Sequence, residues 1–478
     1  MTEMASPRAF LLLLPFLIFH ALSQPETSIA PMEKTEQEAL YMVIQGFVGQ
    51  RWNGSDLYPD PCGWTQIQGV SCDLFDGLWY VTALSIGPIL ENSLECTEKP
   101  EFSPLLFQLK HLKTLSIFDR FSSHEQTSFP SSNWEKLAES LENLDLRSNQ
   151  GLVGGIPADL GQLRNLQSLV LVDNSLVGEL PVELGNLIQL KRLVLSGNRV
   201  SGQIPASLCN NLNQLLILDL SRNSLTGSLP SSLCRLSSLL KLDLNSNRLH
   251  GSLPPGLASL SHLSLLDLRN NSLSGLPSKS LVGMESLQVL LLSYNNPWGG
   301  SLLEFEWKNL RNLTTLDLSY MGLKGTIPET IASLKRLRYL ALDNNHLSGN
   351  VSSKFAALPS LTALYLNGNN LTGKLEFPER FYRRMGKRFA SWNNPNLCCN
   401  AAAMGRGSAA PHGVAQCKQD QEPSTNGSIA NERVDDRSPD QNSGLLTSFL
   451  FPASSISGFW WGIVVQEVMV MFLSVMLL

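Results

Sequence analysis

The sequence lacks the features by which most enzymes and nucleic-acid-binding proteins are recognised. It has 36 lysines and arginines against 41 aspartates and glutamates, so no basic excess is available to neutralise a phosphate backbone. It contains no G-x-G-x-x-G, H-R-D or D-F-G set, which excludes protein kinase chemistry. Its histidines are scattered, and no nucleophile can be paired with a base. The sequence therefore predicts no enzymatic activity, no cofactor and no metal site.

One phrase returns along most of the chain. It reads L-x-x-L-x-L-x-x-N-x-L-x-G-x-[IL]-P, as in "LDLSRNSLTGSLP" from Leu218. Its first leucine recurs every 24 to 26 residues from Leu141 to Leu361, and two weaker copies begin at Val81 and Leu112. A period this steady is typical of a leucine-rich-repeat solenoid, in which each repeat packs only against its neighbours.

The spelling of the repeat predicts how it folds. In L-x-x-L-x-L the leucines alternate with variable residues, so a short strand turns its leucines inward and the others outward. Stacking the next strand about 4.8 Å away covers the leucines and completes the backbone ladder. The asparagine lies where the strand ends, and its amide can bond backbone groups that the turn leaves unpaired. We expect an α/β solenoid with parallel strands on the concave face and short 3-10 or loop segments on the convex face.

Two positions depart from this spelling or invite a second explanation. Met321 stands where the other clear repeats have asparagine, so we expect unpaired backbone groups and a local weak point there. Asp219, Asp243 and Asp267 occupy the same outward position in three adjacent repeats, roughly 5 Å apart. Because "LDL" is a common spelling of the repeat, we expect a solvated ladder of carboxylates rather than an ion site.

Both ends of the sequence are apolar. Arg8 precedes an apolar run that ends at Ala21-Leu22-Ser23, which predicts a secretory signal peptide. The last residues, 456–478, are long enough to span a bilayer, but no lysine or arginine follows them and Glu467 lies near their middle. Such a tail is also the usual form of a glycolipid-anchor signal. We expect secretion and attachment to the outer face of the plasma membrane, and we favour the lipid anchor over the spanning helix.

The eight cysteines of an extracellular chain are expected in disulfides rather than at metals. The candidate pairs are Cys62 with Cys72, Cys398 or Cys399 with Cys417, and Cys209 with Cys234. The first two pairs would cap the two ends of the stack. The third joins equivalent places in neighbouring repeats, and its alternative is two small buried thiols. Cys96 and the remaining member of the Cys398/Cys399 pair have no evident partner.

The same signals give an expected domain organisation. Phe377, Phe381, Met385 and Phe389 are four apart, which predicts a helical lid on the last repeat with its basic residues on the other side. The expected segments are a signal peptide (1–23), an N-terminal cap (24–80), degenerate repeats (81–140), ten repeats (141–376), a C-terminal cap (377–417), a disordered stalk (418–455) and the apolar tail (456–478). Six N-x-[ST] sequons predict glycosylation at Asn53, Asn270, Asn312, Asn350, Asn370 and Asn426.

The caps and repeats also resemble a known family. The cap "PCGWTQIQGVSC", the repeated "LP" or "IP" and the ending "NNPNLC" look like plant leucine-rich-repeat receptor-like proteins, over about residues 35–417. The irregular "SYNNPWGGSLLEFEWKNLRNLTTLDLS" is similar to the group around the too-many-mouths receptor-like protein. The resemblance implies a kinase-less surface protein that binds a peptide, protein or microbial ligand and works beside a receptor kinase. The alternative is a secreted enzyme inhibitor of the polygalacturonase-inhibiting type.

The outward positions of the strands predict where a ligand binds. In the fourth to sixth repeats they hold mainly Asp, Ser, Asn, Arg and Lys, which predicts a hydrated surface. In the seventh to tenth repeats they include Val289, Leu291, Tyr294, Tyr320, Tyr339, Ala341, Ala363 and Tyr365. Tyrosine is over-represented among interface hot spots, and a half-apolar strip marks a binding surface. We expect the ligand on this strip, the alternative being that tyrosines simply tolerate half-exposed strand sites.

Overall fold

The repeats stack through one long sheet. In a computed structural model, residues 30–87, 97, 99–275, 281, 283–295, 299–399 and 414–417 are described. Fourteen strands form the sheet: Val70–Phe75, Leu78–Ile86, Thr114–Phe118, Asn143–Arg147, Ser168–Val172, Arg192–Val194, Ile217–Asp219, Lys241–Asp243, Leu265–Asp267, Val289–Leu291, Thr315–Asp317, Tyr339–Ala341, Ala363–Tyr365 and Phe389–Ala390. The first pair is antiparallel and every later pair is parallel. The predicted parallel concave sheet is confirmed, and it includes both weaker copies.

Short 3-10 helices and three smaller sheets form the rest of the solenoid. The 3-10 helices are Pro104–Gln108, Trp134–Leu137, Ala158–Gln162, Val182–Asn186, Ala206–Cys209, Ser231–Arg235, Pro255–Ser259, Leu302–Glu304, Trp307–Asn309, Glu329–Ser333, Ser353–Ala357 and Gly386–Arg388. The smaller sheets contain Thr127–Ser128, Leu152–Gly155, Ser175–Glu179 and Arg199–Ser201; His250–Gly251 and Ser272–Leu273; and Lys324–Thr326, His346–Gly349, Asn370–Leu375, Asn396–Cys399 and Ala415–Gln416. The 3-10 segments expected on the convex side are thus present.

The repeated asparagine ties neighbouring repeats together. The amide nitrogen of Asn247 donates to the carbonyl oxygens of Leu220 and Leu244, at 3.0 and 3.1 Å. Its Oδ1 accepts from the backbone amide of Leu225 at 3.0 Å. Each side chain therefore satisfies backbone groups of its own repeat and of the preceding one, which is the role predicted from the sequence. The same pattern returns at Asn223, Asn271, Asn345 and Asn369.

Met321 interrupts this ladder without leaving the neighbouring groups unpaired. Its side chain is buried, and its backbone amide donates to Oδ1 of Asn345 at 3.0 Å. The carbonyl oxygen of Leu292 accepts from Asn295, and that of Leu318 accepts from Asn345. The expectation of unpaired backbone groups here is wrong for these three groups, because the asparagines on either side cover them.

A helix and a disulfide cover the N-terminal end of the stack. The first helix, Lys34–Val48, buries Ala39, Leu40, Val43, Ile44 and Phe47, and a short helix, Gly54–Leu57, follows it. The predicted Cys62–Cys72 disulfide is present. Glu36 is only 2% exposed, and its carboxylate accepts a hydrogen bond from the backbone amide of Val81 at 2.8 Å. Burial raises the pKa of Glu36 to about 7.

The C-terminal end is closed by an aromatic lid and a second disulfide. The helix Glu379–Met385 is shorter than the four-residue spacing predicts, since Phe377 precedes it and Phe389 lies in the last strand of the long sheet. All four predicted apolar residues are nevertheless buried, and the arginines of the helix are exposed. The disulfide joins Cys398 to Cys417, which decides between the two candidates, and Cys399 is a buried free thiol.

The predicted bridge between Cys209 and Cys234 is wrong, because both are free thiols. Equivalent side chains in stacked repeats project in the same direction. Each thiol therefore faces a residue two positions before the equivalent cysteine position of the following repeat. Cys209 lies against Ser232, and a Cβ atom placed on Gly256 would lie 3.1 Å from Sγ of Cys234. Ser232 and Gly256 occupy equivalent positions in successive repeats. The two sulfurs are therefore offset by one repeat.

Several expected segments lie outside the described residues. They are the signal peptide, the stalk, the apolar tail, Cys96 and Asn426. Within the part of the chain that the structure does describe, no helix has the length and apolar character needed to cross a membrane.

Candidate ligand-binding face

The middle of the concave face carries a paired charge network. Nζ of Lys241 lies 2.8 Å from Oδ2 of Asp219 and 3.3 Å from Oδ2 of Asp243. Asp219 and Asp267 are 7% and 3% exposed. The expected solvated ladder is therefore wrong: the aspartates are adjacent as predicted, but Lys241 at the neighbouring outward position bridges two of them, and all three carboxylates are largely buried.

This network shifts the proton affinities of its members. Burial raises the pKa of Asp243, and the charges of Asp219 and Asp267 raise it further. Burial acts to lower the pKa of Lys241, but the two neighbouring carboxylates outweigh it and the pKa is raised. The guanidinium of Arg269 pairs with Asp267 at 2.6 Å. These repeats thus hold internally compensated charges, which leaves little free charge to attract a ligand.

The next repeats carry the predicted apolar strip. The strand register places Val289 beside Thr315, then Tyr339, then Ala363, and it places Leu291 beside Asp317. Val289, Leu291, Ala341, Ala363 and Tyr365 have little exposure, and Tyr339 is half-buried. The rings of Tyr339 and Tyr365 are in contact, with centroids 5.6 Å apart. The structure therefore brings these residues together on one face, although less of the strip is exposed than its outward positions suggest.

The other two tyrosines of the predicted strip form a stacked pair at the edge of this face. The rings of Tyr294 and Tyr320 have centroids 4.4 Å apart and an interplanar angle of 11°, and the residues are 54% and 41% exposed. Their φ angles are 59° and 53°, in the left-handed region that bulky residues avoid. Other repeats place Asp, Ser, Asn, Arg or Gly at this position. Holding a tyrosine there costs of order 1–3 kcal/mol each, which stacking offsets only in part.

A cleft of about 520 Å³ opens beside Tyr320. It is lined by Tyr320, Asn344, Asn345, His346, Gly368, Asn369 and Asn370. Asn345 and Asn369 belong to the structural ladder, whereas His346 and Asn370 are exposed. Sequence reasoning missed this cleft. The signal was available: two short residues, Asn344 and Gly368, follow the two tyrosines at the same position of the repeat.

The predicted glycosylation sites differ in their surroundings. Asn53, Asn270, Asn350 and Asn370 are exposed. The side chain of Asn312 is half-buried, donates to the carbonyl oxygen of Glu285 at 2.8 Å and accepts from Arg336 at 2.8 Å.

No group of three or more His, Cys, Asp or Glu within the described ranges could hold a metal ion.

Comparison with known proteins identifies the repeats. The family described as Leucine rich repeat matches residues 188–249, 251–296 and 308–371, and another described as Leucine Rich Repeat matches 165–187. Piriformospora indica-insensitive protein 2 of Arabidopsis thaliana is 55% identical over 145 residues, which are 30% of this chain and 34% of that protein. Receptor like protein 29 of the same organism is 34% identical over 171 residues, 34% of each chain. The matched segments span about a third of either relative's length.

A solved structure extends the likeness to the fold. The leucine-rich-repeat ectodomain of the Arabidopsis receptor kinase HAESA, crystallised with an N-terminally extended IDA peptide hormone, has a TM-score of 0.53 and 33% identity. The match covers 62% of this chain and 48% of that one. The chain therefore has the leucine-rich-repeat fold, and its repeats resemble those of plant receptor-like proteins.

Proposed function

We propose that this chain is the recognition part of a kinase-less receptor-like protein that binds a peptide or protein ligand on its concave face. The observation that carries the proposal is the apolar strip, because Tyr339 and Tyr365 lie on adjacent strands. Val289 and Leu291 lie on the same face, on the far side of the strand Thr315–Asp317. The similarity to a receptor ectodomain that holds a peptide hormone supports it. The strip adjoins the compensated charges of the middle repeats and contains one carboxylate, Asp317, which accepts hydrogen bonds from the hydroxyls of Ser293 and Ser319.

The dimensions of the strip suit a short extended segment. Strands at Val289, Thr315, Tyr339 and Ala363 are neighbours, so the strip spans three strand spacings, about 14 Å. An extended peptide advances about 3.3 Å per residue, so four or five residues cover this length. Their apolar side chains would pack on the half-buried ring of Tyr339, and the tyrosine hydroxyls would supply polar contacts.

The proposal extends to where the protein acts. We place it on the outer face of the plasma membrane, after secretion, with the apolar tail as its attachment. A receptor kinase or another membrane receptor would relay the signal, since the chain has no kinase motif of its own. No nucleic acid takes part in this account.

Paired substitutions on the two halves of the concave face test the proposal. Tyr339→Ala with Tyr365→Ala should weaken capture of the partner by about thirtyfold or more, the cost of losing a hot spot of ~2 kcal/mol. Ser168→Ala with Val194→Ala changes concave positions in earlier repeats and should leave capture unchanged. Capture would be measured with tagged full-length protein and plant plasma-membrane extract, after both variants are shown to be secreted. Loss in the second variant and not in the first would place binding on other repeats.

A further inference from the structure

We propose that the cleft beside Tyr320 binds one ring of a neutral saccharide. The cleft lies at the edge of the concave face; its wall, Tyr320, belongs to the strip predicted from the sequence, but Tyr339 and Tyr365, on which the peptide proposal rests, do not line it. The proposal rests on the stacked tyrosines and on the amides and the imidazole that line the cleft.

The shape of the cleft follows from four successive repeats. Tyr294, Tyr320, Asn344 and Gly368 occupy the same position of the repeat. Tyr294 covers one face of the Tyr320 ring, so the other face turns towards Asn344. Because Asn344 is short and Gly368 has no side chain, the row is recessed beside the ring, with the carboxamide of Asn344 lying over Gly368. One flat aromatic wall therefore bounds a hollow wide enough for a six-membered ring.

The polar groups in the cleft are side-chain amides and one imidazole. His346 and Asn370 are exposed and can each donate and accept hydrogen bonds. The amide of Asn344 is held in place by a hydrogen bond of 2.6 Å to Asp343. Among the residues that the structure describes, no lysine, arginine, aspartate or glutamate lines the cleft.

This combination matches the chemistry of a sugar. A pyranose presents a face of C–H groups, which packs on an aromatic ring, and a rim of hydroxyls that both donate and accept. A charged ligand would find no carboxylate, ammonium or guanidinium group among the described lining residues, and an apolar side chain would find a single aromatic wall among amides and an imidazole. The left-handed conformation, which this position has in the other repeats too, leaves the two stacked rings partly exposed.

The sugar can come from two sources. Asn370 begins the sequon Asn370-Leu371-Thr372, so a glycan attached there could fold into the cleft. A free oligosaccharide could enter the same cleft from solution. Thr372→Ala distinguishes the two, because it removes the sequon and leaves the Asn370 amide in the cleft.

The experiment measures binding of neutral tetrasaccharides to the full-length protein in detergent. The probes are cellotetraose, mannotetraose and N,N′,N″,N‴-tetraacetylchitotetraose, with tetragalacturonate as a charged control, observed by saturation-transfer NMR. If the sugar comes from solution, the wild type and Thr372→Ala both bind a neutral probe, Tyr320→Phe retains binding, and Tyr320→Ala loses at least tenfold in affinity. Tyr339 and Tyr365 are left unchanged, so the outcome is independent of the peptide proposal.

If the glycan at Asn370 fills the cleft, the wild type binds no probe and Thr372→Ala does. The wild-type glycan at Asn370 is then cleaved by an endoglycosidase at least tenfold more slowly than the one at Asn350, and Tyr320→Ala removes this protection. The proposal is overturned if neither protein binds a neutral probe and the two glycans are cleaved equally fast. It is also overturned if Tyr320→Ala binds as well as the wild type, or if tetragalacturonate binds best.

Discussion

The backbone amide of Met321 donates a hydrogen bond to Oδ1 of Asn345, which also accepts from Leu323, both at 3.0 Å. Asn345 further donates to the carbonyl oxygen of Leu318 at 2.9 Å. In most of the clear repeats the equivalent carbonyl oxygen accepts hydrogen bonds from two asparagines, one in its own repeat and one in the next. Here the residue of its own repeat is Met321, which cannot donate from its side chain. One side chain thus serves three backbone groups across the interrupted repeat.

We predict that Asn345→Ala destabilises the protein by at least about 2 kcal/mol more than Asn247→Ala. The first change leaves three groups without their asparagine, and each costs about 1–3 kcal/mol. The second leaves mainly the amide of Leu225, because Asn223 and Asn271 still bond the carbonyls of Leu220 and Leu244. Urea unfolding of the two variants, followed by circular dichroism, measures the difference. Equal losses would show that Asn345 has no added role.

Glu36 should make the stability of the N-terminal cap depend on pH. Its folded-state pKa, about 7, lies above its ordinary value of 4.5, so the folded protein holds the proton more tightly. The resulting stabilisation is complete below about pH 4.5 and is lost as the pH rises through 7, an effect of about 3 kcal/mol.

Glu36→Gln should therefore stabilise the protein at pH 8 and change little at pH 4.5, because the amide oxygen can still accept from Val81. Glu33→Gln is the matched control, since the pKa of Glu33 is lowered, first by its hydrogen bond from Thr35. It should not stabilise the protein at pH 8. Thermal unfolding at the two pH values measures both variants, and a gain for Glu36→Gln at pH 4.5 as large as at pH 8 would contradict the account.

Replacing the buried, ion-paired Lys241 should lower the stability of the fold more than replacing an exposed lysine that also forms an ion pair. Lys241→Ala leaves Asp219 and Asp243 close together and largely buried, which should cost about 3 kcal/mol. Lys354→Ala breaks an exposed pair with Glu329 and should cost at most about 1 kcal/mol. Guanidinium unfolding compares them, with added salt as a check that the first loss is less screened. Similar losses would mean that the network is no more than a surface feature.

The free thiols should differ in reactivity. Cys209 is buried, and burial raises the pKa of its thiol to about 12, whereas Cys234 is only partly buried. Without reductant, iodoacetamide should label Cys234 faster than Cys209 in the folded protein and both in the unfolded one, as read by peptide mass spectrometry. A peptide pair joined through Cys209 and Cys234 would refute the structure at this point.

The sequence was sufficient for the fold because the repeat encodes it locally. Leucine spacing dictates inward and outward positions, and asparagine spacing dictates the turn, so the strands at Leu218 and Leu242 followed directly. The disulfide between Cys209 and Cys234 could not be judged this way. Its outcome depends on the direction in which stacked side chains project, which residue spacing does not give.

The site was predicted less completely for a related reason. The outward positions in the repeat predicted that Tyr339 and Tyr365 share one face. They did not predict that Lys241 pairs with Asp219 across two strands. The cleft beside Tyr320 exists because Asn344 and Gly368 lack a large side chain at the position that Tyr294 and Tyr320 occupy in the preceding repeats. A search for chemically active residues passes over such short side chains.

Site-specific photocrosslinking tests the central claim, that the concave face is the binding face. A benzoylphenylalanine would replace Tyr339 in one protein and Ile188, an exposed residue next to a 3-10 helix, in the other. On irradiation with plant plasma membranes, the account predicts a discrete adduct from position 339 that unlabelled wild-type protein suppresses by competition, and none from position 188. A competable adduct from position 188 with none from position 339 would contradict it.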